Sequence, residues 1–318
     1  MSLLSALGDA ILPVLSVAAV GFALGKTREI DVQPLSTVTI YVLTPALIVH
    51  SIATSEMSGG LAARIVLGVL AFSVVMILLS EIVGRLLGES EPVLGALVLS
   101  SSFANAGNYG IPLAAFAFGT TGRSTAVMFI AAQSVVMYTV GVFVASRGTE
   151  ASTLDAATEV FRLPLVYAVL AAWAARWVGV VPATDTAAME TLQLVGDASI
   201  PVMLLMLGIQ LANTRHGATL SRVGVATSLK LFVAPAVGVG IALLFGLTAD
   251  TTVARVFVLE CATPVAVTPL LLTIEYDTGD SEGLSAPEYV STAIFVSTVA
   301  SVVTLTALIA LLESGAVI

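Results

Sequence analysis

A cluster of amides, glycines and one proline lies inside a hydrophobic segment, LVLSSSFANAGNYGIPLAAFAFG. Within eight residues it holds Asn105, Gly107, Asn108, Gly110 and Pro112. Proline removes a backbone donor and glycine lowers the cost of unwinding a helix. Freed N–H groups at a helix N-terminus suit an anion such as a carboxylate, and the asparagine amides could add donors. The cluster predicts an anion site at an unwound stretch; the alternative is a kinked helix whose asparagines hold neighbouring helices together.

A second interruption is predicted in the segment VFVLECATPVAVTPLLLTIEYD. Its prolines, Pro264 and Pro269, are five positions apart and leave little room for regular helix between them. Thr263 and Thr268 could hydrogen-bond the freed backbone or contact a ligand; the alternative is a single kinked helix. The predicted substrate-binding residues are Asn105, Asn108, Gly110, Pro112, Thr263, Pro264, Thr268 and Pro269.

Four ionisable residues, His50, Asp197, Lys230 and Glu260, fall within hydrophobic segments, where such residues are expensive and usually face the protein interior. Glu260 stands just before the second interruption and could take up a proton or pair with a base. Lys230 is expected to extend to the cytoplasmic surface rather than to contact substrate. We predict packing for His50, and for Asp197 either a helix cap or a functional role. Glu260 and Lys230 are the candidate coupling residues.

The composition indicates which solvent surrounds the chain. Of the 318 residues, 58% are apolar and 10% are charged, and the mean hydropathy is +1.05, whereas soluble domains have about a quarter of their residues charged. A bilayer needs no charged surface, so the composition predicts an integral membrane protein. The net charge of −9 argues against nucleic-acid binding. The single cysteine, Cys261, excludes an internal disulfide and a thiolate metal cluster, and we predict no metal or cofactor.

Apolar runs long enough for a bilayer predict an all-α protein with ten transmembrane helices. The start MSLLSALGDA lacks the basic region of a signal peptide, so the first helix is expected in the mature protein. Seven basic residues fall in odd-numbered loops and four in even-numbered ones, which places the odd loops in the cytoplasm and both termini outside the cell membrane. The predicted helices are 8–25, 35–54, 61–87, 93–118, 124–146, 161–181, 191–212, 222–247, 250–274 and 287–312.

Prolines recur at matched positions in the two halves of the chain. Pro45 and Pro201 are 156 positions apart, and Pro112 and Pro269 are 157 apart. These offsets predict two five-helix repeats, 1–146 and 161–318, joined by a short cytoplasmic linker at 147–160. Five spans per repeat make the second half inverted, and broken helices in matching positions of inverted repeats are typical of transporters. The alternative is chance, because prolines are common in transmembrane helices.

At these residues the chain resembles the auxin efflux carrier family, which includes plant PIN-formed exporters and microbial dicarboxylate carriers. The likeness covers nearly the whole chain, and the fourth and ninth helices carry its most specific part. The residues concerned are Pro45 and His50 in the second helix, Asn105, Gly110, Ile111 and Pro112 in the fourth, Asp197, Ala198, Leu207 and Gly208 in the seventh, Lys230 and Pro235 in the eighth, and Pro264, Pro269, Glu275 and Tyr276 in the ninth.

The resemblance implies a scaffold of helices 1, 2, 6 and 7 and a moving transport domain of helices 3–5 and 8–10. It also implies a substrate carboxylate at the crossing of helices 4 and 9 with Asn105 in contact, an elevator-like motion and a homodimer. Two features depart from the plant members: the central loop is short, and the third helix has no acidic residue near its middle, only Glu81 near its end. Auxin is therefore not inferred as the substrate.

The sequence predicts a secondary transporter in the lipid bilayer for small organic anions, mono- or dicarboxylates. A sodium-coupled symporter or proton antiporter of similar fold is one alternative, for which Glu260 is the one candidate carboxylate at the crossing. An intramembrane enzyme would need a serine–histidine pair, paired aspartates or a metal cluster, and a retinal protein would need Lys230 as its Schiff base near an aspartate. The sequence favours a transporter over both.

Overall fold

The computed structural model describes residues 3–147, 163–213, 220–276 and 284–318. These parts of the chain form helices together with one isolated antiparallel bridge between Ala104 and Val265. Most of the predicted linker at 147–160 lies outside the described residues. The helices are α1 (Leu4–Thr27), α2 (Val32–Ala53), α3 (Gly59–Leu86), α4 (Val93–Ser102), α5 (Ala106–Ala145), α6 (Pro164–Val178), α7 (Ala187–Asn213), α8 (Ser221–Leu244), α9 (Thr251–Ala262), α10 (Thr268–Glu275) and α11 (Ala286–Glu313).

Seven helices in the described part are long and apolar enough to cross a membrane: α1, α2, α3, α5, α7, α8 and α11. The chain is therefore a multi-pass membrane protein, as its composition predicts. The helix α5 has 40 residues, or about 60 Å at 1.5 Å per residue, which is about twice the bilayer core. Gly119 interrupts it with a positive φ of 62°, a conformation that glycine adopts without strain. This kink falls in the loop predicted between the fourth and fifth helices.

Prolines within four helices lie directly after a π-helical turn. Each is the second residue of the α-helical stretch that follows the turn. A proline has no N–H and its ring collides with the carbonyl four residues earlier; the wider turn moves that carbonyl away, and the residue before the proline donates to the carbonyl five positions back. These helices therefore bend without breaking. The prolines are Pro13, Pro45, Pro112 and Pro235.

The helices pack in two groups. In one, α1 lies along α7 and α2 packs against α6 and α7; in the other, α3, α4, α5, α8, α9, α10 and α11 pack on one another. The contact between α1 and α7 is close because Gly208 faces the α1 backbone, where an added Cβ would lie 1.9 Å from the carbonyl oxygen of Ala18. In the second group, the rings of Phe72, Phe129 and Phe257 join α3, α5 and α9.

Candidate functional site

The two interrupted helices cross, and their extended segments pair with each other. The first segment follows α4 and the second separates α9 from α10. The backbone N–H of Asn105 donates to the carbonyl of Pro264 at 2.8 Å, and the N–H of Ala266 donates to the carbonyl of Phe103 at 3.1 Å. Backbone groups outside a helix must find partners at membrane depth, and here each interruption supplies partners for the other.

Two side chains from neighbouring helices complete the hydrogen bonding of the crossing. Gln133 of α5 donates to the carbonyl of Ala104 at 2.8 Å and accepts from its N–H at 3.1 Å, while Ser297 of α11 accepts from the N–H of Val265 at 3.1 Å. All of these groups are buried. Sequence reasoning missed both residues, although a buried amide in an apolar span is itself a signal; a lone serine carries none.

The interruptions lie slightly off their predicted positions. The expected breaks near 105–112 and 262–269 are observed at 103–105 and 263–267. Pro112 and Pro269 each occupy the second position of the α-helical stretch that follows. Proline is tolerated in the first turn of a helix, because the N–H that it lacks has no partner there, and Pro269 has this position at the start of α10. Pro112 instead follows the π turn within α5, so both prolines lie inside the helices that follow the extended segments and not in those segments.

A cavity of about 210 Å³ lies beside the crossing, between α2 and α7 on one side and α5 and α10 on the other. No lining residue in the described chain is charged. Its polar groups are amides, hydroxyls and backbone, and they alternate with aliphatic and methionine side chains. The lining residues are Ser36, Thr39, Ile40, Thr44, Ala104, Asn105, Gly107, Asn108, Ile111, Ile130, Gln133, Ser134, Met137, Tyr138, Leu163, Leu165, Met203, Met206, Gln210, Ala266, Val267, Thr268 and Leu271.

Asn105 lines this cavity with a side chain that is almost completely buried. The residue is 5% exposed, and its Nδ2 has no hydrogen-bond partner among the described residues. The backbone carbonyl of Asn105 accepts from the N–H groups of Tyr109 and Gly110 at 3.3 and 2.9 Å, so the helical turn that follows starts from its backbone. A buried donor without a partner costs about 1–3 kcal/mol, a cost that a ligand with an acceptor atom would remove.

Two helix N-termini meet at the crossing. The helix α5 begins at Ala106 and α10 at Thr268, and both residues adjoin the extended segments. Because the N-terminus of a helix carries a partial positive charge of about one half, the cavity has an electropositive end without a cationic side chain. Such an end suits an anionic group.

Of the eight predicted binding residues, Asn105, Asn108 and Thr268 line the cavity. The other five lie next to the crossing but outside that lining. They satisfy or shape the backbone: the hydroxyl of Thr263, for example, donates to the carbonyl of Glu260 at 2.9 Å. These five residues are Gly110, Pro112, Thr263, Pro264 and Pro269.

The prediction that Lys230 reaches the cytoplasmic surface is wrong. Its side chain is fully buried, its Nζ donates to the carbonyl of Cys261 at 2.8 Å, and it lies 5.8 Å from the ring centre of Phe72. The π turn at Leu229–Val233 places Lys230 on the inner face of α8, toward α9 and α3. Glu260 is also fully buried, and neither residue lines the cavity.

The other two ionisable residues are Asp197, at the end of the first helical stretch of α7, and His50, in the last turn of α2. Asp197 accepts from Arg123 at 2.5 Å, which joins α7 to α5. It is the last residue of the helical stretch Ala187–Asp197 and caps no helix start, so the capping prediction is wrong. His50 is 8% exposed, in line with the packing role predicted for it.

Comparison with known proteins identifies the family to which the chain belongs. The model of a family described as membrane transport protein, of the auxin efflux carrier type, matches residues 7–309. A search of curated proteins found no match. The matched range includes both interruptions and the whole cavity lining. The chain therefore belongs to this family of membrane transport proteins, and it is a membrane transporter.

Proposed function

We propose that the protein is a secondary carrier that moves small organic anions, mono- or dicarboxylates, across the cell membrane. The observation that carries this proposal is the unpartnered amide of Asn105 at a cavity where two helix N-termini meet. An amide and two helix ends attract an anion without the desolvation cost of a buried cationic side chain. They also release the anion readily, which a carrier needs in each cycle.

The rest of the cavity suits the organic part of such a substrate. Much of the lining is aliphatic or methionine, including Ile130, Met203, Met206 and Leu271. Ligand sites commonly combine apolar walls with a few placed polar groups that set orientation. We infer that the carboxylate lies at the crossing and that the carbon skeleton contacts these apolar side chains.

The mechanism that we propose is elevator-like alternating access by ten spans arranged as two inverted repeats, 1–146 and 161–318. In this scheme α1, α2, α6 and α7 form the scaffold and the other helices move. The grouping of helix contacts supports the division into scaffold and moving helices. The crossing supports the inverted repeats, because each interruption hydrogen-bonds to one side chain of a neighbouring helix. We further propose a homodimer with both termini outside the cell.

In this scheme the cavity faces the cytoplasm. Its outer lining residues Ser36, Leu163 and Gln210 lie next to the first, fifth and seventh loops, which the charge distribution assigns to the cytoplasm. The ion pair of Arg123 and Asp197 joins the two helix groups on the opposite side. The membrane potential alone would drive an anion outward, by about 2.3 kcal/mol per charge per 100 mV.

The test is binding and transport by the purified protein with paired probes. Thermal unfolding is measured with benzoate, phenylacetate, succinate and malate, and with benzamide and succinamide as uncharged counterparts. Those carboxylates that stabilise the protein are then tested for uptake into proteoliposomes. We expect stabilisation by at least one carboxylate and none by its amide. Equal stabilisation by acid and amide, or transport of amides alone, would refute an anion carrier.

A further inference from the structure

Glu260 is a buried carboxylate without a partner. It lies in the last turn of α9, just before the second interruption, and its side chain is fully buried. Neither carboxylate oxygen has a hydrogen-bond partner among the described residues. An ionised carboxylate in such a place is costly unless it is paired and hydrogen-bonded. The cost of burying an unpaired charge therefore favours the protonated form of Glu260.

The carboxylate lies against the backbone turn that forms the anion end of the cavity. A Cβ added to Gly110 would lie 2.0 Å from Oε2 of Glu260 and 2.7 Å from Oε1, so the carboxylate occupies the space that any other residue at 110 would fill. Gly107 and Asn108 of the same turn line the cavity. A single turn of backbone thus separates Glu260 from the place proposed for the substrate carboxylate.

Few other charges face Glu260. Lys230 from α8 is a cation close enough to act electrostatically on Glu260, but its Nζ donates to the carbonyl of Cys261 and not to the carboxylate. Cys261 follows Glu260 on α9, and Tyr109 is the titratable residue of the turn that contains Gly110; its hydroxyl lies 3.4 Å from Ser301 of α11.

Among the described residues, the charged groups of α5 and α11, which also pack against α9, are ion-paired or lie near helix ends. The helix α5 carries Arg123, which pairs with Asp197 on α7. The titratable residues of α11 are Glu288, Tyr289 and Glu313, all in its first or last turn. Lys230 is therefore the one buried cation in the described part of the chain that can balance Glu260, and it does so without direct contact.

We propose that Glu260 is a proton-binding site that couples anion transport to proton transport in the same direction. This inference rests on the proposed carrier function. A negative charge on Glu260 would repel an anion bound on the other face of the turn, whereas the protonated form would not. Anion binding and protonation therefore favour each other, and by linkage each raises the affinity for the other by the same factor. We expect a factor of roughly ten, within the usual range of such couplings.

The experiment compares wild type, Glu260→Gln and Glu190→Gln. Glutamine imitates the protonated form of Glu260, and Glu190 is an exposed carboxylate at the start of α7 that serves as the matched control. Binding of benzoate, which stays ionised throughout, is measured from mildly acidic to mildly basic pH. We expect affinity to fall roughly tenfold with rising pH in wild type and Glu190→Gln, and to stay constant in Glu260→Gln. In proteoliposomes, an inward proton gradient should stimulate benzoate uptake by all but Glu260→Gln.

Equal pH dependence in wild type and Glu260→Gln would overturn the proposal, as would uptake that requires sodium and ignores the proton gradient. Infrared spectroscopy gives a readout that needs neither a substrate nor a folded variant. In wild type, the carbonyl stretch of a buried protonated carboxyl should disappear as the pH rises. A band that persists at every pH refutes proton exchange even if benzoate binds. If no carboxylate binds but the band titrates, the carrier proposal fails and the proton site stands.

Discussion

Replacing Asn105 tests the anion site most directly. In Asn105→Ala the backbone contacts of the crossing remain, because the N–H to Pro264 and the carbonyl to Tyr109 and Gly110 belong to the main chain. The side chain itself makes no hydrogen bond through Nδ2 among the described residues. The variant therefore removes one unpartnered donor of a residue that lines the cavity, and we expect it to fold.

The magnitude follows from the type of bond that is lost. One neutral hydrogen bond contributes about 0.5–1.5 kcal/mol, so we expect carboxylate binding to weaken roughly 2- to 13-fold in Asn105→Ala. Asn105→Asp should cost more, because a charge at that position meets the substrate carboxylate. At about 4 Å and an effective dielectric constant of about 20, the repulsion reaches about 4 kcal/mol, which the variant escapes only by taking up a proton.

The assay is titration of the purified variants with the carboxylate that stabilises wild type most. Gln193→Ala, which removes an exposed amide from α7, is the control and should bind as wild type does. Thermal unfolding without ligand shows whether each variant is folded. A folded Asn105→Asp that binds and transports the carboxylate as well as wild type would show that Asn105 does not contact the anion.

Three further predictions concern stability, and each is measured by thermal unfolding in detergent. Gln133→Ala should destabilise the protein by about 2–6 kcal/mol, because it leaves the buried N–H and carbonyl of Ala104 unpaired. A loss of stability near zero would mean that the crossing does not depend on the hydrogen bonds from Gln133. Gly208→Val should prevent the close packing of α1 on α7 and abolish the cooperative transition, whereas Gly240→Val, where an added Cβ meets nothing within 4 Å, should not. Asp197→Asn should cost less than about 1 kcal/mol, since the ion pair is half exposed on the aspartate side, and a larger loss would contradict that reasoning.

Local features of the sequence were good predictors. Low charge and long apolar runs indicated a membrane protein because a bilayer imposes that composition on any chain that spans it. The proline and glycine clusters indicated both interruptions because their effect on helix geometry acts within a single turn. The same prolines were less informative about position: Pro112 lies inside α5 after a π turn, two positions beyond Gly110, whose backbone packs against Glu260.

The sequence by itself determined that the chain crosses the bilayer and that two of its helices are interrupted. The tertiary structure alone decided which side chains complete the crossing and which line the cavity. Gln133 hydrogen-bonds to Ala104 across 29 positions and Lys230 to Cys261 across 31. Neither contact can be recognised from the residue types near it in the sequence. The direction of a side chain in a helix bundle depends on how helices distant in sequence rotate against one another. That rotation is set by packing, which no single segment encodes.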